Sequence, residues 1–354
     1  LHANELEPVL RERLARLAPD HANLAEIGAG VRETILAGEL PAALVEEVRR
    51  AYAEMAGAGE PATVAVRSSA TAEDLPQASF AGQLETYLNV TGEAALFDAL
   101  KHSLASLFTD RAIVYRENNG FDHLEVALSV GVQRMVRSDL ACSGVMFSID
   151  TETGFPGAVL INGAWGLGET VVQGMVEPDE FQVFKPLLDR AELTPIVKKQ
   201  VGSKRQKMIY AQAGATELVD VEADERARFV LDDAEVLRLA RWAKAIEAHY
   251  GQPMDIEWAK DGLTGELFIV QARPETVQSQ RKAGALRTYT LNERSDVLTR
   301  GLAIGDAIGA GPVVKLDSAA EIDRFEAGAV LVTAMTDPDW VPIMKQAAAI
   351  VTDH

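Results

Sequence analysis

Apolar residues recur at helical spacing from the beginning of the chain, at Leu6, Leu10, Leu14 and Leu17 and again at Leu44, Val45, Val48 and Tyr52. The spacing predicts helices over residues 1 to about 60, packed on a neighbouring domain, with Pro41 suited to the first turn of the later helix. At Thr63 the texture changes: Thr63-Val64-Ala65-Val66 reads as a short strand, and Arg67 opens the polar, turn-rich stretch that runs to Asp74. From Thr91 to about Asn118 the residues Leu96, Leu100, Leu104, Leu107 and Phe108 share a stripe and predict one long amphipathic helix. Strands are expected around 127–136 and 143–150, the second with Val145, Phe147 and Ile149 alternating with Met146, Ser148 and Asp150. Further strand patterns lie at 157–162, 179–185, 195–200 and 206–211. Asp232 or Asp233 can cap a helix that runs to Tyr250, with Gly251 placed to end it.

Met254–Arg273 has the pattern of a hairpin around a turn rich in Gly262, Thr264 and Gly265. Positions two apart on a strand share a face, so Asp255 goes with Glu257 and Gln271 with Arg273. A register that sets Glu257 opposite Gln271 also sets Asp255 opposite Arg273, while Ile256 and Trp258 face the core. Carboxylates and an amide oxygen suit Mg²⁺, and a guanidinium suits a phosphate oxygen. The plainer reading of the same face is a solvated Asp–Arg cross-strand salt bridge. Beyond Pro274, the polar run Gln278–Ala285 reads as a linker to a smaller unit containing the strand Ala329–Val332.

Composition narrows the classes. A length of 354 residues suggests about two domains. With 53 acidic against 34 basic residues the formal net charge is −19, which disfavours a nucleic-acid partner. No apolar run approaches the ~18 residues of a membrane span, and the first residues lack the basic and apolar regions of a secretory signal. The single cysteine, Cys142, cannot form an internal disulfide and reads as a buried apolar thiol; a reducing, cytoplasmic setting is expected. The six histidines show no zinc spacing. Asn162–Glu169 is glycine-rich, but it is neither a Walker A loop nor a dinucleotide fingerprint. The hydroxyl-rich loop after Arg67, ending in Ser79-Phe80-Ala81-Gly82-Gln83, could present backbone N–H groups to an anion.

Several of these segments carry a family resemblance. Val64–Asp74, Ser79–Gln83, Gln133-Arg134-Met135-Val136, Ala164–Glu169, Glu177-Pro178-Asp179-Glu180, Asp255–Trp258, Gln271–Glu275 and Met335–Trp340 occur in order along nearly the whole chain. Together they resemble the phosphoenolpyruvate synthase (pyruvate, water dikinase) family, in its nucleotide-binding part and the start of its phosphohistidine domain. The resemblance implies an α+β ATP-grasp domain over 61–277, preceded by a helical segment over 1–60. A linker and an incomplete α/β phosphohistidine (swivelling) domain would occupy 278–354. It implies that Arg67 binds phosphate, that Gly82 and Thr86 line the loop over ATP, and that Gln133 lies towards the adenine. Glu257 and Gln271 would hold Mg²⁺ and nucleotide, Asp255 would support them, and Arg273 would meet the phosphates.

Two departures accompany it. Nothing here matches the family's Gly-Gly-Lys segment, and the Gly-Gly-x-Thr-x-His motif with the catalytic histidine is expected beyond His354, which is not that histidine. The pyruvate barrel is not represented either, so residues 1–354 alone are expected to be inactive. The partners implied are ATP, pyruvate in the intact enzyme and the protein's own phosphohistidine domain, with homodimerisation left open. The rival readings are another dikinase-type enzyme (pyruvate, phosphate dikinase or an antibiotic phosphotransferase) and a non-catalytic nucleotide-binding module.

Overall fold

The computed structural model describes the chain except residues 20, 58, 60, 72–73, 76–77, 80–84, 212–215, 276–295, 302–307, 337–339 and 354. It is an α+β structure of two units, Leu1–Val136 with Tyr210–Glu217, and Arg137–Ile209 with Leu218–His354.

In the first unit, α1 (Glu7–Leu14), α2 (Leu24–Ala37) and α3 (Ala42–Ala56) precede β1 (Thr63–Ala70). A short ribbon of β2 (Asp74–Leu75) and β3 (Ala78–Ser79) follows, then β4 (Thr86–Thr91), α4 (Glu93–Ala105), α5 (Asp110–Asn119) and β5 (Leu128–Arg134). β4, β1 and β5 form an antiparallel sheet in that order. Val64 and Val66 on β1 are fully buried against Leu96, Ala99 and Leu100 of α4 and Tyr52 of α3. The Tyr52 hydroxyl donates to the Ala62 carbonyl at 2.5 Å and accepts from the Gly92 amide at 2.8 Å, joining α3 to the sheet at two places. Leu10, Leu14, Val31 and Ile35 of α1 and α2 make a second core with Ala105, Phe108 and Ile113.

Two expectations are corrected here. The long helix is broken: a 3-10 turn at Ser106–Phe108 leads to Thr109, whose extended backbone and side-chain acceptance from the Ala112 amide start α5 afresh. The stripe runs on through the break because the turn keeps Leu107 and Phe108 on the buried side. Arg67 does not open a loop either. β1 continues through it to Ala70, since β5 pairs along its whole length from Val64 opposite Arg134 to Ala70 opposite Leu128.

The second unit contains β6 (Cys142–Phe147), β7 (Ala158–Trp165), the helical turn α6 (Glu169–Val172), β8 (Asp179–Phe184) and β9 (Ile196–Gln200). The ribbon strands β10 (Gln206–Tyr210) and β11 (Thr216–Asp220) follow, then the turn α7 (Ala223–Arg226), α8 (Asp233–Tyr250), β12 (Met254–Lys260) and β13 (Leu267–Pro274). Six strands form one antiparallel sheet in the order β13-β12-β6-β7-β8-β9. Its inner face buries Met146, Ile161, Phe181, Ile256 and Trp258 against Val236, Leu239, Ala240 and Ala243 of α8. That helix begins with a capping box, in which Asp232 accepts from the Glu235 amide at 2.8 Å and Glu235 accepts from the Asp232 amide at 3.1 Å. It ends at Gly251 in the left-handed conformation.

Below the sheet lies a sealed ion pair. Asp179 and Lys204 are both fully buried and bonded to each other. The Asp179 carboxylate also accepts the amides of Gly202 at 2.9 Å and Val230 at 2.8 Å. The chain then adds a parallel sheet of β14 (Val313–Lys315), β15 (Val330–Thr333) and β16 (Ala349–Thr352), with the turn α9 (Val341–Met344) between the last two strands. Leu316, Phe325, Leu331, Trp340 and Ile343 form its core. Among the described residues no helix is long and apolar enough to cross a membrane.

Candidate functional site

Each main sheet turns one face to a hydrophobic core, and the candidate residues lie on the other. In the first unit, Val66 points into the core, so its neighbour Arg67 points to the opposite face. Residues directly opposite on antiparallel strands share a face, and Arg67 lies opposite Thr86 on β4. Gln133 on β5 pairs with Ala65, two positions before Arg67, and therefore lies on this face too. Arg67, Thr86 and Gln133 are thus brought together on the open face of the three-stranded sheet. Gly82 lies outside the described residues.

In the second unit the hairpin has the expected register, with Asp255 opposite Arg273 and Glu257 opposite Gln271. Arg273 grips Asp255 through Nε at 2.8 Å and Nη2 at 2.7 Å, both on Oδ2. The salt bridge of the plainer reading is therefore present, within a face that also carries Glu257 and Gln271. Burial pushes the Asp255 carboxyl above its ordinary range, against the pull of the Arg273 charge. The pairing slips by one residue after Glu257, so that Trp258 meets Ile269. This bulge lets Trp258 fill the core without turning the four polar residues off their face.

The hairpin's face continues across the sheet, first through the apolar Val145. Glu257 lies opposite Val145 on β6, Val145 opposite Asn162 on β7, and Asn162 opposite Glu180 on β8. Glu180 holds Lys198 of β9 at 2.6 Å. Asn162 and Glu180 stand in motifs singled out above without a role. The available signal was their alternation with the buried neighbours Ile161 and Phe181.

The glycines of the Asn162–Glu169 stretch are set by packing. A Cβ on Gly163 would fall 2.8 Å from Val230 Cγ2 and 2.9 Å from Trp258 Cζ2. Gly166 has φ +85° and lets the chain pass the Met208 carbonyl, with the Ser143 hydroxyl donating to its own carbonyl at 2.6 Å. Cys142 is buried, its thiol pushed up to about 12 by burial, as expected of an inert core cysteine. Among the described residues no three His, Cys, Asp or Glu side chains gather as a metal cage.

The chain belongs to a known class. The family model for the pyruvate phosphate dikinase AMP/ATP-binding domain matches residues 1–293, and the chain belongs to that family. A model for the mobile domain of PEP-utilising enzymes matches residues 325–354. Among curated proteins, the phosphoenolpyruvate synthase of Pseudomonas aeruginosa is 54% identical over 100% of this chain and 45% of its own length. The phosphoenolpyruvate synthases of Synechocystis and Escherichia coli are each 55% identical, covering 99% and 95% of this chain and 44% and 42% of their own lengths. The chain therefore spans less than half the length of these relatives.

Proposed function

We propose that the chain is the ATP-binding part of a pyruvate, water dikinase. The whole enzyme converts ATP, pyruvate and water to phosphoenolpyruvate, AMP and phosphate by way of a phosphohistidine. In this reading residues 61–277 are an ATP-grasp domain, 1–60 its helical segment, and 278–354 a linker and the start of the swivelling domain. The observation that carries the reading is the hairpin face, where two carboxylates stand in register with an amide and a guanidinium. The names of the relatives and the matched family support the same conclusion.

The donor set fits Mg²⁺. That ion takes one or two protein oxygens and completes its shell with phosphate and water, and a Glu257 carboxylate facing a Gln271 amide supplies such a pair. Bound there, Mg²⁺ would neutralise charge on the triphosphate oxygens during phosphoryl transfer. Arg273, oriented by Asp255, and Arg67 bind phosphate oxygens, while Thr86 supports the loop over the nucleotide and Gln133 holds the adenine side.

Calorimetric binding of ATP and of adenosine to two variants tests this division. Arg273→Lys loses the guanidinium fork and should weaken ATP by on the order of 1.5–3 kcal/mol while changing adenosine little. Gln133→Ala should weaken both ligands alike, by about 1 kcal/mol. Equal losses for both ligands in both variants would exclude the assignment.

A further inference from the structure

One rung of the six-stranded sheet crosses every strand. It runs from Gln271 through Glu257, Val145, Asn162 and Glu180 to Gln200, each directly opposite the next. Directly opposite residues share a face, so the whole rung stands on the face of the hairpin cluster. The neighbouring rung on that face lies two positions along each strand. It runs from Arg273 through Asp255, Phe147, Leu160 and Gln182 to Lys198. The two rungs divide the face into three zones. The charged cluster of β12 and β13 stands at one end, and half-buried Val145, Phe147 and Leu160 make an apolar middle. Polar residues return beyond it with Asn162, Glu180 and Gln182.

Two of the three polar residues at that far end are committed to neighbours. Gln182 Nε2 donates to Asp150 Oδ2 at 3.3 Å, and Glu180 Oε1 accepts from Lys198 at 2.6 Å. The half-buried Asn162 amide has no hydrogen-bond partner among the described residues. Two strand spacings, about 10 Å, separate it from Glu257 along the rung. An amide offers a hydroxyl group both a donor and an acceptor. The cation these rungs carry there, Lys198, is already matched by Glu180, so the place suits a neutral hydroxyl better than a phosphate. We propose that Asn162 binds a ribose hydroxyl of the nucleotide whose Mg²⁺-bound phosphates sit at Glu257 and Gln271. The sugar then lies over apolar Val145, between the two polar ends of the rung. The inference rests on the reading of Glu257 and Gln271 as the metal and phosphate end, and every residue it uses belongs to the second unit.

Nucleotides that lack one hydroxyl make the test specific. In the 354-residue chain, calorimetry compares Mg²⁺-ATP with its 2′-deoxy and 3′-deoxy analogues. The wild-type chain should bind ATP about fivefold more tightly than at least one analogue, the worth of one hydrogen bond. Asn162→Ala should lose that preference by binding ATP more weakly, with its affinity for the analogue held within about twofold of wild type. Asn162→Val, a residue suited to a strand, repeats the measurement should the alanine variant unfold early. Asn162→Asp keeps an acceptor for the hydroxyl and should keep the preference. An equal loss for all three nucleotides in Asn162→Asp would mark a phosphate contact instead and overturns the proposal. So does an equal loss for all three in Asn162→Ala, the mark of a merely structural role, or a preference that survives there. A wild-type chain that binds all three alike overturns the proposal and leaves the reading of Glu257 and Gln271 standing. Failure of the wild-type chain to bind Mg²⁺-ATP overturns that reading and the proposal with it.

Discussion

The three-stranded and six-stranded sheets each bury one face in a core and carry polar residues on the other, but they gather those residues over very different distances along the chain. On the six-stranded sheet, Asp255, Glu257, Gln271 and Arg273 come from two strands joined by one tight turn. On the smaller sheet, Arg67, Thr86 and Gln133 come one from each of three strands, and β5 returns to β1 only after two helices. The hairpin is a preformed cluster whose geometry follows from local pairing. The other face depends on long-range closure of the sheet around Val64 and Val66. A charged ligand group that needs fixed, paired donors is better served by the first arrangement. A contact that needs only one well-placed side chain can come from the second.

The sharpest way to break this contrast is to remove the proposed ion ligand. Saturating ligand at one hundred times Kd stabilises a protein by about 2.7 kcal/mol. In thermal melts with ATP, with and without Mg²⁺, Glu257→Ala should lose the part of the stabilisation that depends on Mg²⁺. An equal Mg²⁺ effect in variant and wild type would show that the hairpin holds no ion. Packing gives the next largest difference. Gly163→Ala forces a methyl into Val230 and Trp258 and should cost about 1–3 kcal/mol in denaturant melts. Gly131→Ala on the smaller sheet places its Cβ 3.7 Å from the Arg67 carbonyl, an ordinary contact, and should stay within about 0.5 kcal/mol of wild type.

The smallest effect concerns pH. The folded chain raises the Asp255 carboxyl above its unfolded value, so the native state holds that proton more tightly. Its contribution to stability is greatest in acid and falls as pH rises from the unfolded value through the raised folded one. Without ligand, Asp255→Asn should therefore melt no lower than wild type at neutral pH, with a gain below about 1 kcal/mol that disappears on acidification. A clear loss of stability in Asp255→Asn at neutral pH would mean that the Arg273 ion pair outweighs burial.

The same contrast explains what could be read from the residues alone. Alternation and one turn sufficed for the hairpin register, and Asp232, Glu235 and Gly251 marked both ends of α8. The residues alone predict a loop at Arg67 because the strand that extends β1 lies some sixty residues away, and nothing local to Ser68 and Ser69 announces it. The break at Thr109 was hidden because a 3-10 turn preserves the apolar stripe while interrupting the helix. Asn162 reaches the hairpin's face only through two strand pairings and Glu180 only through three, which no short motif encodes.

The sealed pair of Asp179 and Lys204 has a consequence for how such a sequence can drift. Replacing Lys204 alone would strand the Asp179 carboxylate with only its amide donors Gly202 and Val230, and replacing Asp179 alone would strand the Lys204 ammonium with only the Gly202 carbonyl, in both cases away from water. That single step costs about 3–5 kcal/mol, and exchanging both residues for apolar ones removes the stranded charge but leaves the Gly202 and Val230 amides without their acceptor. The two codons are therefore joined by a valley in fitness. A lineage carrying this pair keeps both members or changes both, and the intermediate genotypes survive only where spare stability is available to carry them across.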